Sequence, residues 1–260
     1  MPLNLDLTGR FALVPGGSGG IGSHVAEVLA ECGADIVVGY RSNSARAEEV
    51  VAKAQSLGRR ARADKIDAAD YNAVKAWVDG NVAEFGKIDI LATCVGWLER
   101  GFSLFKDQTP NQWPRMIAEQ FWAQIYLAHA VLPHMIARQS GRIITLGSDG
   151  AKGGQSGVAV ACGGIAGVIS FSKSLAREVG RYGITVNVVC AGPTHTPVLQ
   201  TMLSNDDVGA KLVEAAIKHI PLKRAGEARE VAAAFAFLGS EAGSYITGQA
   251  ISVSGGLTMM

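Results

Sequence analysis

The sequence has almost no excess of positive over negative side chains and has few cysteines, and both features limit the functions that the protein can have. It has 24 Lys+Arg against 23 Asp+Glu, a formal net charge of +1, and no long basic run. The composition therefore gives no indication of a nucleic-acid partner. Its four cysteines are scattered without metal-ligand spacing, which predicts no metal site and reduced thiols in a cytoplasm. These cysteines are Cys32, Cys94, Cys162 and Cys190.

Long apolar stretches are also lacking. No apolar run approaches the roughly 20 residues of a membrane span, and residues 1–10, which include Asp6, have no apolar core of a signal peptide. At 260 residues and 48% apolar, the chain is long enough to bury one full core. We therefore expect a single cytoplasmic domain over residues 1–260, without a membrane partner.

Short apolar runs alternate with helical patterns along the whole chain. Alternation of this kind is typical of βαβ units, whose parallel sheet is covered by helices on both faces. The predicted fold class is therefore α/β, a Rossmann-type doubly wound parallel sheet in a single domain. The predicted strands are residues 11–14, 36–40, 61–66, 88–93, 142–146, 185–190 and 250–253.

A glycine-rich segment, residues 15–22 with the sequence PGGSGGIG, lies between the first strand and the first helix. Glycine has no Cβ and can take positive φ, so a tight turn there can bring backbone N–H groups against a pyrophosphate. The positive end of the following helix points at the same anion. Strand, glycine turn, helix and second strand together predict a dinucleotide site. Its predicted contacts are Gly16, Ser18, Gly20, Ile21 and Gly22.

The second strand ends in Tyr40, Arg41 and Ser42, without the acidic residue that a free ribose 2′-hydroxyl favours. A guanidinium matches the oxygens of a 2′-phosphate, so these three residues predict NADP(H) as cofactor. The alternative is an arginine solvated in a loop. Asp67, after the third strand, is either a partner of the adenine or the cap of the next helix.

By its motifs the chain resembles the short-chain dehydrogenase/reductase family over nearly its whole length. The resemblance rests on the opening LTGR at residues 7–10, the glycine loop, and GRIITLGS at residues 141–148. It extends through VNVV at residues 186–189, PLKRAG at residues 221–226 and YITGQ at residues 245–249. Ser148 then stands at the family's catalytic serine position, and Thr194 and Thr196 lie in the segment that flanks the nicotinamide.

When the chain is matched to the family through these motifs, it departs from the family at the Tyr-x-x-x-Lys pair. Counted from Ser148, the tyrosine position is Ala161 and the lysine position is Ile165. The family's helix asparagine corresponds to Gln120, and its Asn-Asn-Ala-Gly corresponds to residues 93–96, so Cys94 and Gly96 stand at cofactor positions. A second stretch with Tyr-x-x-x-Lys spacing, Tyr71 to Lys75, follows the third strand and is interpreted as part of a surface helix.

Several side chains remain as candidates for chemistry near the nicotinamide. Ser148 either orients a substrate oxygen or merely caps the sheet edge, and Gln120 is a candidate catalytic residue by position. His195 is a candidate proton donor, with a solvent-facing histidine as the alternative. Asp149 is an acid or base if buried, but a solvated loop carboxylate is the favoured interpretation.

Thiols and aromatic side chains give weaker indications. Cys94 and Cys162 have no evident base beside them, and small buried thiols are the favoured interpretation. An aromatic substrate wall is a further hypothesis, although aromatic residues in helices more often belong to the core. Its members would be Trp97, Trp122 and Tyr126.

Three functions are compatible with this pattern. The first is an NADP(H)-dependent reductase that acts on an activated ketone, enone or quinone-like small molecule without the usual tyrosine and lysine. The second is a catalytically silent NADP(H)-binding protein, a sensor or an assembly subunit; a lyase or isomerase is a third, weaker option. The resemblance also implies a homotetramer that pairs through residues 111–139, 157–180 and 250–253.

Overall fold

The structure is a computed structural model, and it describes residues 5–96, 103–204 and 208–260. All seven predicted strands are present, and their bounds differ from the predicted ones by two residues or fewer. The strands are β1 (Phe11–Pro15), β2 (Asp35–Tyr40), β3 (Ala61–Lys65), β4 (Ile90–Thr93), β5 (Gly141–Ser148), β6 (Ile184–Ala191), β7 (Thr194–His195), β8 (Gly226–Glu227) and β9 (Ala250–Val253).

Helices connect these strands throughout. The α-helices are α1 (Gly22–Glu31), α2 (Ser44–Ser56), α3 (Tyr71–Phe85), α4 (Trp113–Ile117), α5 (Ala123–Arg138), α6 (Gly150–Gly153), α7 (Ala159–Val179), α8 (Pro197–Ser204), α9 (Val208–His219) and α10 (Ala228–Gly239). A π-helical turn, Ala118–Trp122, joins α4 to α5. Short 3-10 turns cover Phe105–Asp107, Pro110–Gln112, Gly180–Tyr182 and Glu241–Gly243.

The seven long strands form one parallel sheet in the order β3-β2-β1-β4-β5-β6-β9. The strand order reverses between β1 and β4, because the chain first builds outward through β2 and β3 and then returns past β1. In sheets of this kind, ligands bind in the crevice at the carboxyl ends of the strands beside that reversal. The topology therefore places the candidate site where β1 and β4 end.

Apolar side chains cover both faces of this sheet. On one face Leu29 of α1, Val50 of α2 and Phe235 of α10 are fully buried against the strands. On the other face Val78 of α3 and Leu127 of α5 are fully buried in the same way. Strands buried on both faces must be apolar almost continuously, which is why their sequence pattern was readable. The predicted doubly wound fold is confirmed.

Residues 111–139, one of the segments through which the homotetramer is expected to pair, contain the π-helical turn between α4 and α5. A π turn adds one residue to the helical repeat and so changes which side chains face inward. Here it buries two polar residues, Glu119 and Gln120, which are 3% and 6% exposed. Sequence periodicity gave no sign of this insertion.

One helical stretch, Ala159–Tyr182, is long and apolar enough to cross a membrane by length and composition. We expected no apolar run of membrane-span length from the sequence, and this helix differs from that expectation. In the described structure 44% of the apolar window is buried, and α7 packs against β6. A core helix of this kind passes the same length and composition test.

Candidate functional site

The glycine loop is packed so closely against the end of β4 that side chains would not fit. Gly16 has φ +80°, and a Cβ on it would lie 2.4 Å from the carbonyl oxygen of Cys94. A Cβ on Gly22 would lie 2.2 Å from the carbonyl oxygen of Gly16. The loop is also tied to β2, because Gly16 N–H donates to the Gly39 carbonyl at 2.8 Å. Ile21 comes directly before α1 and packs on the core.

The segment after β6 closes over the same loop. A Cβ on Gly20 would lie 2.8 Å from Cβ of Thr196, so the loop and this segment are in contact. Thr196 Oγ1 accepts a hydrogen bond from Leu199 N–H at 3.2 Å and so helps fix the start of α8. Thr194 is buried and donates from Oγ1 to the Gly192 carbonyl at 2.8 Å. Both predicted threonines therefore lie at the carboxyl end of the sheet.

A pocket of about 170 Å³ opens beside the glycine loop. Eight residues predicted from the sequence line it, which confirms that they lie together although they come from four separate segments. They are Gly16, Ser18, Tyr40, Arg41, Ser42, Asp67, Cys94 and Gly96. The structure thus assembles in one place a glycine turn, a helix N-terminus and the end of β2.

Two further residues in this pocket, Arg115 and Glu119, were missed by the sequence reading. Arg41 Nη1 is ion-paired with Glu119 Oε1, and Arg115 Nε donates to the same oxygen at 2.5 Å. Arg115 also reaches both carboxylate oxygens of Asp67, at 3.1 and 3.2 Å. The i,i+4 spacing of Arg115 and Glu119 was a visible signal of an ion pair. Nothing in the sequence connected that pair to Arg41.

The structure separates the two alternatives for Asp67. Asp70 caps α3, because its side chain accepts hydrogen bonds from Asn72 N–H and Ala73 N–H. Asp67 instead lines the pocket and pairs with Arg115. Burial raises the pKa of Asp67, but the Arg115 and Ala69 hydrogen bonds and the charges of Arg115 and Arg41 outweigh it, leaving this pKa below its ordinary value.

Ser148, at the end of β5, is partly exposed and lies in register with Ala191 of β6. Beside it, α7 presents an apolar surface: Ala161 and Ile165 are 7% and 9% exposed, and Ile165 Cγ2 would lie 3.4 Å from a Cβ on Gly147. Gln120 packs on the same helix, with its Cβ 3.1 Å from a Cβ placed on Gly164. The apolar helix α7 therefore packs against the end of β5 at Gly147 and against the π turn at Gln120.

A neighbouring glutamine, which the sequence reading did not single out, supports the end of β4. Gln124 is 4% exposed, and its Nε2 donates to the carbonyl of Val95 at 3.0 Å. Its buried Oε1 has no hydrogen-bond partner among the described residues. Gln124 is one turn beyond Gln120, and this spacing was the only sequence signal for it.

The structure places His195 on β7, which pairs with β8. Its side chain is 48% exposed, and Nε2 lies 4.0 Å from Glu227 Oε1. This exposure favours the solvent-facing interpretation, and the role of His195 as a proton donor stays a prediction.

The interpretation of Asp149 as a solvated carboxylate is wrong. Asp149 is fully buried, and Ser252 Oγ donates to its Oδ1 at 2.5 Å. Its Oδ2 has no hydrogen-bond partner within the part of the chain that the structure describes. Lys152 Nζ donates to Ser252 Oγ at 2.8 Å and to the Met260 carbonyl at 2.7 Å. Asp149 therefore connects the end of β5 to β9 and the last residue.

Comparisons with known proteins agree with this arrangement. The family model described as Enoyl-(Acyl carrier protein) reductase matches residues 16–258. The 3-oxoacyl-(acyl-carrier-protein) reductase FabG of Salmonella typhimurium is 35% identical over 98% of this chain and 100% of its own length. The protein of the same name from Escherichia coli is also 35% identical over the same shares. The chain belongs to the short-chain dehydrogenase/reductase family.

Solved structures give the same answer. A dehydrogenase/reductase from Sinorhizobium meliloti 1021 superimposes with a TM-score of 0.88 at 30% identity, over 98% of each chain. A short-chain dehydrogenase from Burkholderia cenocepacia J2315, solved in complex with NADP, gives a TM-score of 0.86 at 34% identity, over 96% of this chain and 98% of that one. The fold of this short-chain dehydrogenase/reductase is therefore shared along nearly its whole length.

The thiols of this family member lie in apolar surroundings. Burial raises the pKa of Cys94 and of Cys162, and it raises the pKa of Cys190 to about 11. A thiol with a raised pKa is a poor nucleophile at neutral pH. All four cysteines are free. Within residues 5–96, 103–204 and 208–260, no group of three or more His, Cys, Asp or Glu residues could hold a metal ion.

The predicted aromatic wall is not brought together at the pocket. Trp97 lies outside the described residues. Trp122 is 45% exposed and stacks on Tyr126 with ring centroids 6.0 Å apart. Tyr71, from the second Tyr-x-x-x-Lys stretch, contacts Tyr126 edge-on and is hydrogen-bonded to His129 at 3.0 Å. Lys75 pairs with Asp79. These residues form a cluster on α3 and α5.

The packing of the glycine loop predicts a stability difference between two glycine substitutions. Gly22→Ala should lower the free energy of unfolding by about 1–3 kcal/mol, since the new methyl group meets the backbone of Gly16 and forces a shift. Gly80→Ala is the control, because a Cβ at that exposed position in α3 meets nothing within 4 Å. It should stabilise by up to about 1 kcal/mol. Urea unfolding measures both, and equal effects would contradict the packing argument.

Proposed function

We propose that this protein is an NADP(H)-dependent oxidoreductase that acts on a small molecule. The observation that carries the proposal is the pocket beside the glycine loop. Its lining combines the glycine turn at Gly16 with the guanidinium groups of Arg41 and Arg115. The relatives named as reductases and the neighbour solved with NADP support the same assignment.

The residues present fit such a cofactor. The start of α1 suits a pyrophosphate, because the first N–H groups of a helix lack intrahelical acceptors and the helix dipole favours an anion there. The absence of a side chain at Gly16 lets an anion approach the loop closely. Arg41 and Ser42 suit a 2′-phosphate, and Thr194 and Thr196 would hold the nicotinamide carboxamide. When bound, the cofactor supplies or accepts the hydride, while the protein supplies position and electrostatics.

We further propose that the reaction proceeds without the family's Tyr-x-x-x-Lys pair. Ala161 has no proton to give, and Ile165 carries no charge that could polarise a neighbour. Ser148 is the hydroxyl at this end of β5, and a hydroxyl with a pKa far above neutrality orients an oxygen rather than protonating it. The proton then comes from the substrate, from water or from a neighbouring group.

This arrangement favours acceptors that are already activated. Losing a positioned proton donor typically costs 10²–10⁴-fold in rate, and an electron-poor substrate offsets that loss by accepting hydride more readily. Conjugated enones, quinone-like rings and reactive ketones are such substrates. The two apolar residues on α7 also leave a less polar surface beside Ser148 than a tyrosine and a lysine would.

A catalytically silent NADP(H)-binding protein is the second candidate. The buried, apolar Ala161 and Ile165 favour it, since the proposed pocket would bind cofactor without any acid in place. Tight binding of NADPH together with no turnover of any acceptor would identify this function.

The cofactor proposal predicts a preference for NADPH over NADH that depends on Arg41. Arg41→Ala should weaken NADPH binding by about 1.5–3 kcal/mol, the usual range for a hydrogen bond to a charged group. NADH affinity should change little, because NADH has no 2′-phosphate. Titration by nucleotide fluorescence measures both. Arg181→Ala, at an exposed arginine in a 3-10 turn, is the control; equal affinities of the wild type for both nucleotides would refute the preference.

The chemical proposal predicts a distinct order of substrates. Wild-type protein should use NADPH to reduce enones, quinones or reactive ketones. With NADP⁺ it should oxidise plain secondary alcohols very slowly. Ser148→Ala should lower turnover of the good acceptors on the order of 10²-fold, as expected for loss of an oxyanion donor. The double variant Ala161→Tyr with Ile165→Lys should gain activity towards plain ketones.

The steady-state concentration change of NADPH measures all of these rates, because NADPH is consumed when an acceptor is reduced and is formed when an alcohol is oxidised with NADP⁺. Ser170→Ala, which alters an exposed serine in α7, is the control for Ser148→Ala. Rapid oxidation of plain alcohols by the wild type would overturn the argument about the missing pair.

We propose in addition that the protein is a cytoplasmic homotetramer of single-domain chains. The exposed Trp122 on the surface of the π turn and the position of β9 at the sheet edge support it. Light scattering should give about four times the chain mass of 27.1 kDa. Trp122→Glu should lower that mass, and Leu57→Glu, at a comparably exposed apolar residue in another part of the surface, should not. A mass of one chain at micromolar concentration would contradict the assembly.

A further inference from the structure

Glu119 lies between two arginines in the pocket described above. Its Oε1 is the acceptor for both Arg41 and Arg115. Its side chain is only 4% exposed, whereas those of Arg41 and Arg115 are 41% and 43% exposed. The carboxylate is therefore covered, while both guanidiniums remain accessible to a ligand from the pocket that they line.

The charges of this cluster cancel. Arg41 and Arg115 contribute two positive charges, and Glu119 and Asp67 contribute two negative ones. A phosphate monoester carries a charge of about −1.5 to −2 near neutrality. Such a group entering the pocket meets no net charge from these four described side chains, and it competes with Glu119 for the same N–H donors. Burial of Glu119 strengthens this competition, because solvent screens a covered carboxylate poorly.

We propose that Glu119 is an internal counter-anion that sets how strongly the pocket binds the 2′-phosphate of NADPH, and that Arg115 is a second residue for its recognition. This inference rests on the proposed NADP(H) function. Glu119 lowers the affinity for the phosphorylated cofactor and leaves that for NADH nearly unchanged. The preference for NADPH over NADH thus depends on Glu119 in the π turn as well as on Arg41 at the end of β2.

The test is a comparison of NADPH, NADH and adenosine 2′,5′-bisphosphate binding by calorimetry. Glu119→Gln removes the charge and keeps the shape and an acceptor oxygen. It should tighten NADPH and the bisphosphate by about 3- to 10-fold, a range discounted for the partial exposure of both arginines. NADH affinity should stay within about twofold. Glu49→Gln is the control, because Glu49 is an arginine-paired carboxylate on the solvent-facing side of α2, where it pairs with Arg46.

Arg115→Gln provides a second, independent variant. It removes one cation and leaves Glu119 entirely to Arg41, so NADPH should bind on the order of 10-fold more weakly, with NADH within about twofold. This variant also keeps the proposal testable if Glu119→Gln does not fold, which thermal melting would show.

Several outcomes would overturn the inference. NADPH affinity that is unchanged or weaker in Glu119→Gln would show that the carboxylate only supports the arginines. Equal tightening of NADPH and NADH binding would show that the effect of Glu119 is not specific to the phosphate. Unchanged NADPH affinity in Arg115→Gln would show that Arg115 does not recognise the phosphate. Failure of the wild type to bind either nucleotide would instead refute the proposed function.

Discussion

The arrangement of the site depends on the close approach of three backbone segments at one end of the sheet. The glycine loop, the end of β4 and the segment after β6 touch because Gly16, Gly20 and Gly22 carry no side chain. A single methyl group at Gly22 would meet the backbone of Gly16. This contact brings the N-terminus of α1 beside the strand ends, and a helix N-terminus next to a loop without side chains at Gly16 and Gly22 suits a pyrophosphate.

A second constraint is the balance of charge inside the pocket. Arg41 and Arg115 are useful to an anionic ligand only if they are held in place before it arrives, and Glu119 and Asp67 hold them. The same carboxylates reduce the attraction that the arginines exert. Affinity for a phosphorylated ligand therefore depends on two opposed effects of these carboxylates, which hold the arginines in place and also offset their positive charge. The π turn participates in this compromise because it buries Glu119 beneath both guanidiniums.

The strand pattern and the glycine loop were readable from the sequence, because parallel strands buried on both faces are apolar along their whole length. Local polar contacts were harder to predict from the sequence. Asp67 was predicted either to contact the adenine or to cap α3, and only the geometry showed that Asp70 is the cap. Asp149 looked like a loop carboxylate, yet it is buried against Ser252 of β9, a strand more than 100 residues later. His195 was placed in the correct segment, but its side-chain exposure could not be inferred from its neighbours.

The sequence by itself determined the order of the strands along the chain, the turn that only glycine can form and the residue types at the end of β2. Those features depend on local conformation and on periodicity, which neighbouring residues fix. The tertiary structure decided which charges neutralise one another. Arg41 and Glu119 are 78 residues apart in sequence but in contact in the fold. Electrostatic energy depends on separation in space and on burial, and neither quantity exists until the helices have packed on the sheet.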